Sequence, residues 1–317
     1  MTESSSGTAP VICAGEVLID LIGDPAGPVS EVRHFKPRIG GAPANVAAGL
    51  ARLSVRAAFA GAAGDDEFGV LCREALVKAG VETRHLRTVT GTNTRLAIVT
   101  GPAQNRTFRF YGQPAADEHL TGADLLAALT CEGCAALYFG ALPLASEPSR
   151  TAMLDGVAWT ASRPEPVPFC FDPNPRRAMF EARPELRPLC HDLIGQARIV
   201  KVSRSDLKVL DLNADELPAL ARPGALVVIS DGGNGCQFWI DGEPGYQRAF
   251  AVHPIDETGA GDAFMAALIA RGVANDFQFA PDDMEFAAAA GALATSKMGA
   301  IAAMPSWGEI EKVVKMI

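Results

Sequence analysis

The feature that most constrains this chain is a rhythm. Short apolar runs at 57–62, 136–139, 168–171, 199–203 and 226–230 are bounded by Gly, Pro, Asp and Asn, and read as buried strands. Stretches with helical spacing lie between them, at 67–79, 123–129 and 149–160, and the first stops at Gly80. A parallel strand can reach its neighbour only through a crossover, and a helix is the usual crossover. The expected fold class is therefore α/β: a central, mostly parallel sheet flanked by helices. In such sheets ligands gather at the carboxyl ends of the strands. Those ends are polar here: Phe171-Asp172-Pro173-Asn174-Pro175-Arg176, Ser203-Arg204-Ser205-Asp206 and Asp231-Gly232-Gly233-Asn234-Gly235.

Two stretches break the rhythm. The first apolar run, 11–22, reads as one buried strand with a carboxylate, Asp20, near its end. Either the strand stops there with Asp20 in water, or the carboxylate has a buried partner. After it, 23–38 is rich in Pro and Gly, with Val29, Val32 and Phe35 spaced as in a short hairpin. Further on, 95–100 and 106–111 read as two strands joined by Gly101-Pro102-Ala103-Gln104-Asn105, with Phe108 and Phe110 alternating against Thr107, Arg109 and Tyr111. This is the pattern of an inserted β flap. One domain over 11–317 is expected, with lid segments at about 23–38 and 91–112, behind a disordered tail at 1–10.

Composition narrows the partners. Net charge is −9 and no Lys/Arg run occurs, which argues against a nucleic-acid surface. A phosphorylated ligand would be held by local backbone donors and a metal. No apolar run is long enough to span a membrane, and the Ser/Thr-rich start lacks the regions of a signal peptide. Seven scattered cysteines, an odd number, suit a reduced cytoplasm. Cys131 and Cys134 form a lone Cys-x-x-Cys with no second pair at zinc spacing, and read as ordinary turn punctuation.

The chemistry concentrates in Asp256-Glu257-Thr258-Gly259-Ala260-Gly261-Asp262. An apolar run, 249–255, precedes it as an expected strand; a helical stretch, 263–270, follows and ends at Arg271-Gly272. Small residues at the turn let a ligand approach the backbone. The free N–H groups of a helix's first turn, with the helix dipole, then form an anion site. A carboxylate there would repel phosphate, so Asp262 makes chemical sense as a base that takes the proton of an attacking hydroxyl. The bland alternative is a helix cap. A second glycine turn, Gly40-Gly41-Ala42-Pro43-Ala44-Asn45, precedes a helix expected to start near Ala44, in which Val46, Leu50 and Leu53 recur at helical spacing. Asn45 can offer both a donor and an acceptor.

Together these two motifs resemble the paired motifs of the PfkB/ribokinase family of carbohydrate kinases, over about 11–307. Gly15-Glu16-Val17-Leu18-Ile19-Asp20, Phe108-Arg109-Phe110-Tyr111, Phe171-Asp172-Pro173-Asn174 and Lys297-Met298-Gly299-Ala300-Ile301 are most similar to its fructokinases. The resemblance implies a ribokinase-like sheet with a small β lid over the sugar, ATP as phosphoryl donor, Mg²⁺ arriving with ATP, K⁺ as activator, and a homodimer through the lid. It implies Asp262 as base and Gly259, Ala260 and Gly261 as anion hole. Asp20, Gly40, Gly41 and Asn45 would bind sugar hydroxyls. Lys201, Ser203, Ser230, Gly232 and Gly235 would meet the nucleotide. Asp256, Thr258, Ala294, Lys297 and Gly299 would surround the monovalent cation.

The sequence departs from the family in three places. An Asn-x-x-Glu motif that organises Mg²⁺ appears as Ser203-Arg204-Ser205-Asp206, with the shorter Asp206 carrying the charge. Gly112 follows Tyr111 where an Arg often stands to meet a sugar acid; Arg109 or Arg176 could take that role. Phe286-Ala287-Ala288-Ala289 replaces a polar residue beside adenine. The resemblance implies phosphorylation of fructose at a primary hydroxyl. A ketodeoxygluconate kinase, a ribose or nucleoside kinase, and a non-catalytic sugar or nucleotide sensor are the alternatives.

Overall fold

The computed structural model describes residues 9–101, 107–111 and 114–315. The expectations for residues 1–8 of the tail, for the turn at 102–106 and for Gly112 lie outside them. Pro10, assigned above to the tail, is buried, and its carbonyl accepts from the Ala135 N–H at 2.9 Å.

In chain order the strands are β1 (Val11–Gly15), β2 (Leu18–Asp24), β3 (His34–Gly40), β4 (Ala57–Gly64), β5 (Leu86–Val89), β6 (Leu96–Thr100), β7 (Thr107–Tyr111), β8 (Ala136–Phe139), β9 (Phe169–Phe171), β10 (Ile199–Ser203), β11 (Leu226–Ser230), β12 (Cys236–Ile240) and β13 (Glu243–Gln247). The helices are α1 (Ala42–Arg52), α2 (Glu67–Lys78), α3 (Gly122–Cys131), α4 (Ser149–Ala161), α5 (Arg177–Ala182), α6 (Leu186–Ile194), α7 (Arg204–Leu210), α8 (Glu216–Leu220), α9 (Ala260–Ala274), α10 (Pro281–Thr295) and α11 (Trp307–Val314).

Nine strands form the main sheet in the order β13-β12-β11-β10-β9-β8-β1-β4-β5. From β11 to β5 every pairing is parallel; β12 and β13 close one edge as an antiparallel hairpin. Helices cover both faces, as a two-sided parallel sheet requires. One apolar core, under α1, α9 and α10, contains Cys13, Phe59, Tyr138 and Met265; the other, under α3, α4 and α6, contains Phe139, Phe171 and Leu193. Small residues let the helices approach closely. A Cβ on Gly49 of α1 would stand 2.7 Å from that of Ala266 on α9.

The apolar run at 11–22 is two strands, not one. At Gly15, φ is +134°, and the chain leaves the main sheet there. β2 then pairs with β3 and β6 in a separate four-stranded sheet ordered β3-β2-β6-β7. Asp20 thus sits on the small sheet and is buried at 9% exposure.

The run at 249–255, expected as a strand, is irregular. The edge of the main sheet beyond β11 is formed by the β12–β13 hairpin. The apolar residues of the run line a cavity instead, and Pro254 has no N–H to offer a sheet.

Candidate active site

α9 sets the centre of the site. Gly259 adopts the left-handed conformation, with φ +83°, and a Cβ there would lie 2.7 Å from that of Ala300. Only glycine is relaxed in such a turn. The helix begins one residue later, so its first-turn N–H groups lack intrahelical partners; that of Ala260 donates to the Glu257 carbonyl at 3.2 Å. Asp262 stands in that first turn, 8% exposed. Its Oδ2 accepts a hydrogen bond from Asn45 Nδ2 at 2.7 Å. Burial pushes the Asp262 carboxyl up to about 6, against the opposing pull of the Asn45 hydrogen bond and the Lys201 charge.

The loop ahead of α9 is clamped by Asp256. Its Oδ1 accepts from the Thr258 N–H at 3.1 Å and the Thr258 hydroxyl at 2.7 Å, and its Oδ2 from the Gly299 N–H at 3.0 Å. The N–H groups of Ile255 and Asp256 both donate to the Thr295 carbonyl. Asp256, Thr258 and Gly299 therefore meet at one place. Ala294 is buried beside Ala263 and Met304. The Lys297 ammonium points away to Glu309, at 3.1 Å, so only the backbone of Lys297 is left to face an ion.

Two cavities meet at this loop. The first, about 440 Å³, is lined by Glu16, Leu18, Asp20, Gly41, Asn45, Phe108, Phe110, Leu142, Arg176, Asp206 and Asp262. Gly40 adjoins it, packed so closely on Asp20 that a Cβ there would meet the carboxylate at 2.2 Å. The second, about 530 Å³, is lined by Gly232, Gly235, Phe250, Val252, Ala260, Phe264, Ala288 and Thr295. Lys201, Ser230, Glu257 and Gly261 face both. Lys201 Nζ donates to Asp172 Oδ2 at 2.7 Å inside the protein. Burial by itself would lower the Lys201 ammonium; Asp172 holds it above its usual value.

Arg109 is not brought into the first cavity. On β7 it falls on the exposed side, while Phe108 and Phe110 face inward. Arg176 does line the cavity, with one guanidinium nitrogen held by Asn174 Oδ1 at 2.5 Å. Asp206 and Ser203 cap α7 reciprocally: the Ser203 N–H donates to Asp206 Oδ2 at 2.9 Å, while the carboxyl, raised mainly by burial, also faces the cavity.

Glu16 and Asp172 stand in stretches singled out above, but neither was given a role there. Glu16 accepts the Ala42 N–H through Oε1 at 3.1 Å, while its buried Oε2 has no partner among the described residues. Burial raises its carboxyl to about 7. Its signal was the Gly15-Glu16 break inside the run at 11–22.

A family model described as pfkB family carbohydrate kinase matches residues 8–307. The chain belongs to that family. It is 36% identical to Fructokinase-1 of Zea mays over 98% of this chain and 99% of that protein. Among solved structures, a double mutant of the fructokinase from Vibrio cholerae, in its fructose-, ADP- and potassium-ion-bound form, superposes with a TM-score of 0.84 at 30% identity, over 97% of this chain and 99% of that one. The ATP-bound fructokinase from Xylella fastidiosa gives 0.86 at 26% identity, over 97% and 98%. Both matches cover nearly all of this chain, whose fold is ribokinase-like: a large, mostly parallel sheet flanked by helices, with a separate small sheet. Among the described residues no helix is long and apolar enough to cross a membrane.

Proposed function

We propose that this sugar kinase transfers the γ-phosphoryl group of ATP to the primary hydroxyl of fructose, giving fructose 6-phosphate and ADP. The observation that carries the reading is the place of Asp262: a buried carboxyl at a helix N-terminus, where a polar cavity under the small sheet joins a second cavity. Fructose fits the first, with Asp20, Gly40, Gly41 and Asn45 at its hydroxyls and Phe108 and Phe110 over its carbon face. ATP fits the second, with adenine along Phe250, Val252 and Ala288 and the phosphates toward Ser230, Gly232, Gly235 and Lys201.

Asp262 takes the hydroxyl proton as the sugar oxygen attacks phosphorus. The bond from the γ-phosphorus to the bridging oxygen breaks, and ADP leaves. The N–H groups around Gly259, Ala260 and Gly261 meet the charge on the transferring group, the task of an anion hole. A carboxyl titrating near 6 is ionised at neutral pH yet basic enough to accept the proton.

Mg²⁺, bound with ATP, would neutralise phosphate charge, and Asp206 and Glu257 are the carboxylates on the cavity wall that suit it. Asp256, Thr258 and Gly299, joined by hydrogen bonds, together with the backbone carbonyls of Ala294 and Lys297 would give K⁺ the oxygen ligands and low charge it needs. A homodimer through the lid is part of the reading; β3, an edge strand of the small sheet, exposes Phe35. A reduced cytoplasm suits the seven free thiols.

The test is ADP release over a panel of sugars, in K⁺ and in a bulky organic cation at matched ionic strength. Fructose should give the highest kcat/KM, and K⁺ should raise it. Ketodeoxygluconate or ribose turned over well ahead of fructose would overturn the substrate assignment, and equal rates in both cations the K⁺ site.

A further inference from the structure

The β6–β7 half of the small sheet is joined to the body of the protein by two legs. One enters β6 through Arg95; the other leaves β7 and passes into a short 3-10 turn, Ala116–His119. The legs touch through backbone bonds, with the Ala116 N–H donating to the Asn93 carbonyl at 2.9 Å. They are also joined by charge. Arg95 is only 3% exposed, and its Nε donates to both Asp117 oxygens, at 3.0 and 2.9 Å, while Nη2 donates to Glu118 Oε1 at 2.7 Å. The Arg95 guanidinium also lies over the ring of Phe110, 5.5 Å from its centroid. Phe110 faces the sugar cavity.

A buried ion network of this kind is expensive to desolvate, and apolar residues often serve stability as well or better. Stability alone is therefore a weak account of it. What this one does that an apolar staple could not is fix a flat cationic face at a set height behind an aromatic ring. The carboxylates of Asp117 and Glu118 hold the guanidinium plane from the exit leg, and the plane holds Phe110. A lysine could keep the charge but not the fork, so it could not satisfy both carboxylates and the ring together.

We infer that Arg95 is a positioning residue that sets sugar affinity by holding Phe110 against the cavity, and that it does so through the lid's own roots. The inference rests on the sugar-kinase reading. It predicts that the substitution Arg95→Lys raises the KM for fructose about tenfold, with kcat within about twofold and the KM for ATP unchanged. Phe110→Ala should raise the same KM, and adding Arg95→Lys to it should change little more, because the two act as one unit. A merely structural role would instead lower the melting temperature and the active fraction and leave KM alone; that result overturns the inference, as does full additivity.

Amide exchange separates this inference from the functional reading, since it needs no substrate. In Arg95→Lys, exchange over Thr107–Tyr111 should quicken about tenfold while α9 and β10 keep their protection. Unchanged exchange there overturns the inference, whatever sugar the wild type does or does not phosphorylate. A wild type that turns over no sugar, with Thr107–Tyr111 loosened as expected, overturns the functional reading and the affinity role built on it.

Discussion

Replacing Asp262 by Asn separates catalysis from folding, because the two predicted effects have opposite signs. Asn keeps the size of the side chain and can still accept from Asn45 Nδ2, now at 2.7 Å. It cannot take a proton. A general base is worth about 10² to 10⁴ in rate, or roughly 3 to 5 kcal/mol of barrier, so kcat should fall by that factor. Stability should move the other way. The folded carboxyl titrates at about 6, above its unfolded value. A raised carboxyl contributes its stability fully below the unfolded pKa and loses it as pH rises through the folded one. At pH 7 the ionised side chain therefore costs about 3 kcal/mol, of which the dipole of α9 returns roughly 0.3–1. The neutral Asn escapes that cost. The variant should be more stable than wild type at pH 7 by roughly 2 kcal/mol, and the advantage should vanish below about pH 4. Steady-state turnover, with urea unfolding at both pH values, measures the pair. A variant that keeps more than half its turnover, or one whose activity falls only in step with its stability, refutes the assignment.

In wild type the acid limb of kcat/KM for the sugar should have an apparent pKa near 6, with activity rising as Asp262 loses its proton. Asn45→Ala removes the hydrogen bond that favours the charged form and should move that limb up by about one pH unit, besides weakening sugar binding; an unmoved limb would disconnect Asn45 from the base. Gly259→Ala forces a side chain into φ +83° and against Ala300, so kcat should fall at least about tenfold and the melting temperature should drop; wild-type kinetics would show that the loop is not held as described. Lys201→Met strands the Asp172 carboxylate in the interior and should cost about 3 kcal/mol or more in urea unfolding, along with weakened ATP binding; an unchanged unfolding midpoint would argue that Asp172 finds another partner.

The sequence by itself determined the strand–helix alternation and hence the class of fold. It also placed β10 and β11 at 199–203 and 226–230, their bounds in the structure. These are local matters: a buried strand declares itself by a short apolar run, a helix by its spacing, a turn by its glycines. The glycine-rich turns before α1 and α9 were legible for the same reason.

What the tertiary structure alone decided is which of several locally permitted outcomes each segment takes. The run at 11–22 reads as one strand because its Gly15-Glu16 break is only two residues long; the structure divides it there, with Gly15 turning β2 out to pair with β3 and β6. The run at 249–255 was apolar enough for a strand, but it is irregular and lines a cavity beside α9 and α10. Alternation along β7 said that Arg109 and Phe110 face opposite ways, yet not which of them looks into the cavity. Asp172 and Lys201 are 29 residues apart in sequence, and Asn45 and Asp262 are 217 apart. Such pairs leave no local periodicity to read. They are made by the parallel packing of β9 on β10 and the close approach of α1 to α9 through Gly49, and only a folded chain brings those surfaces together.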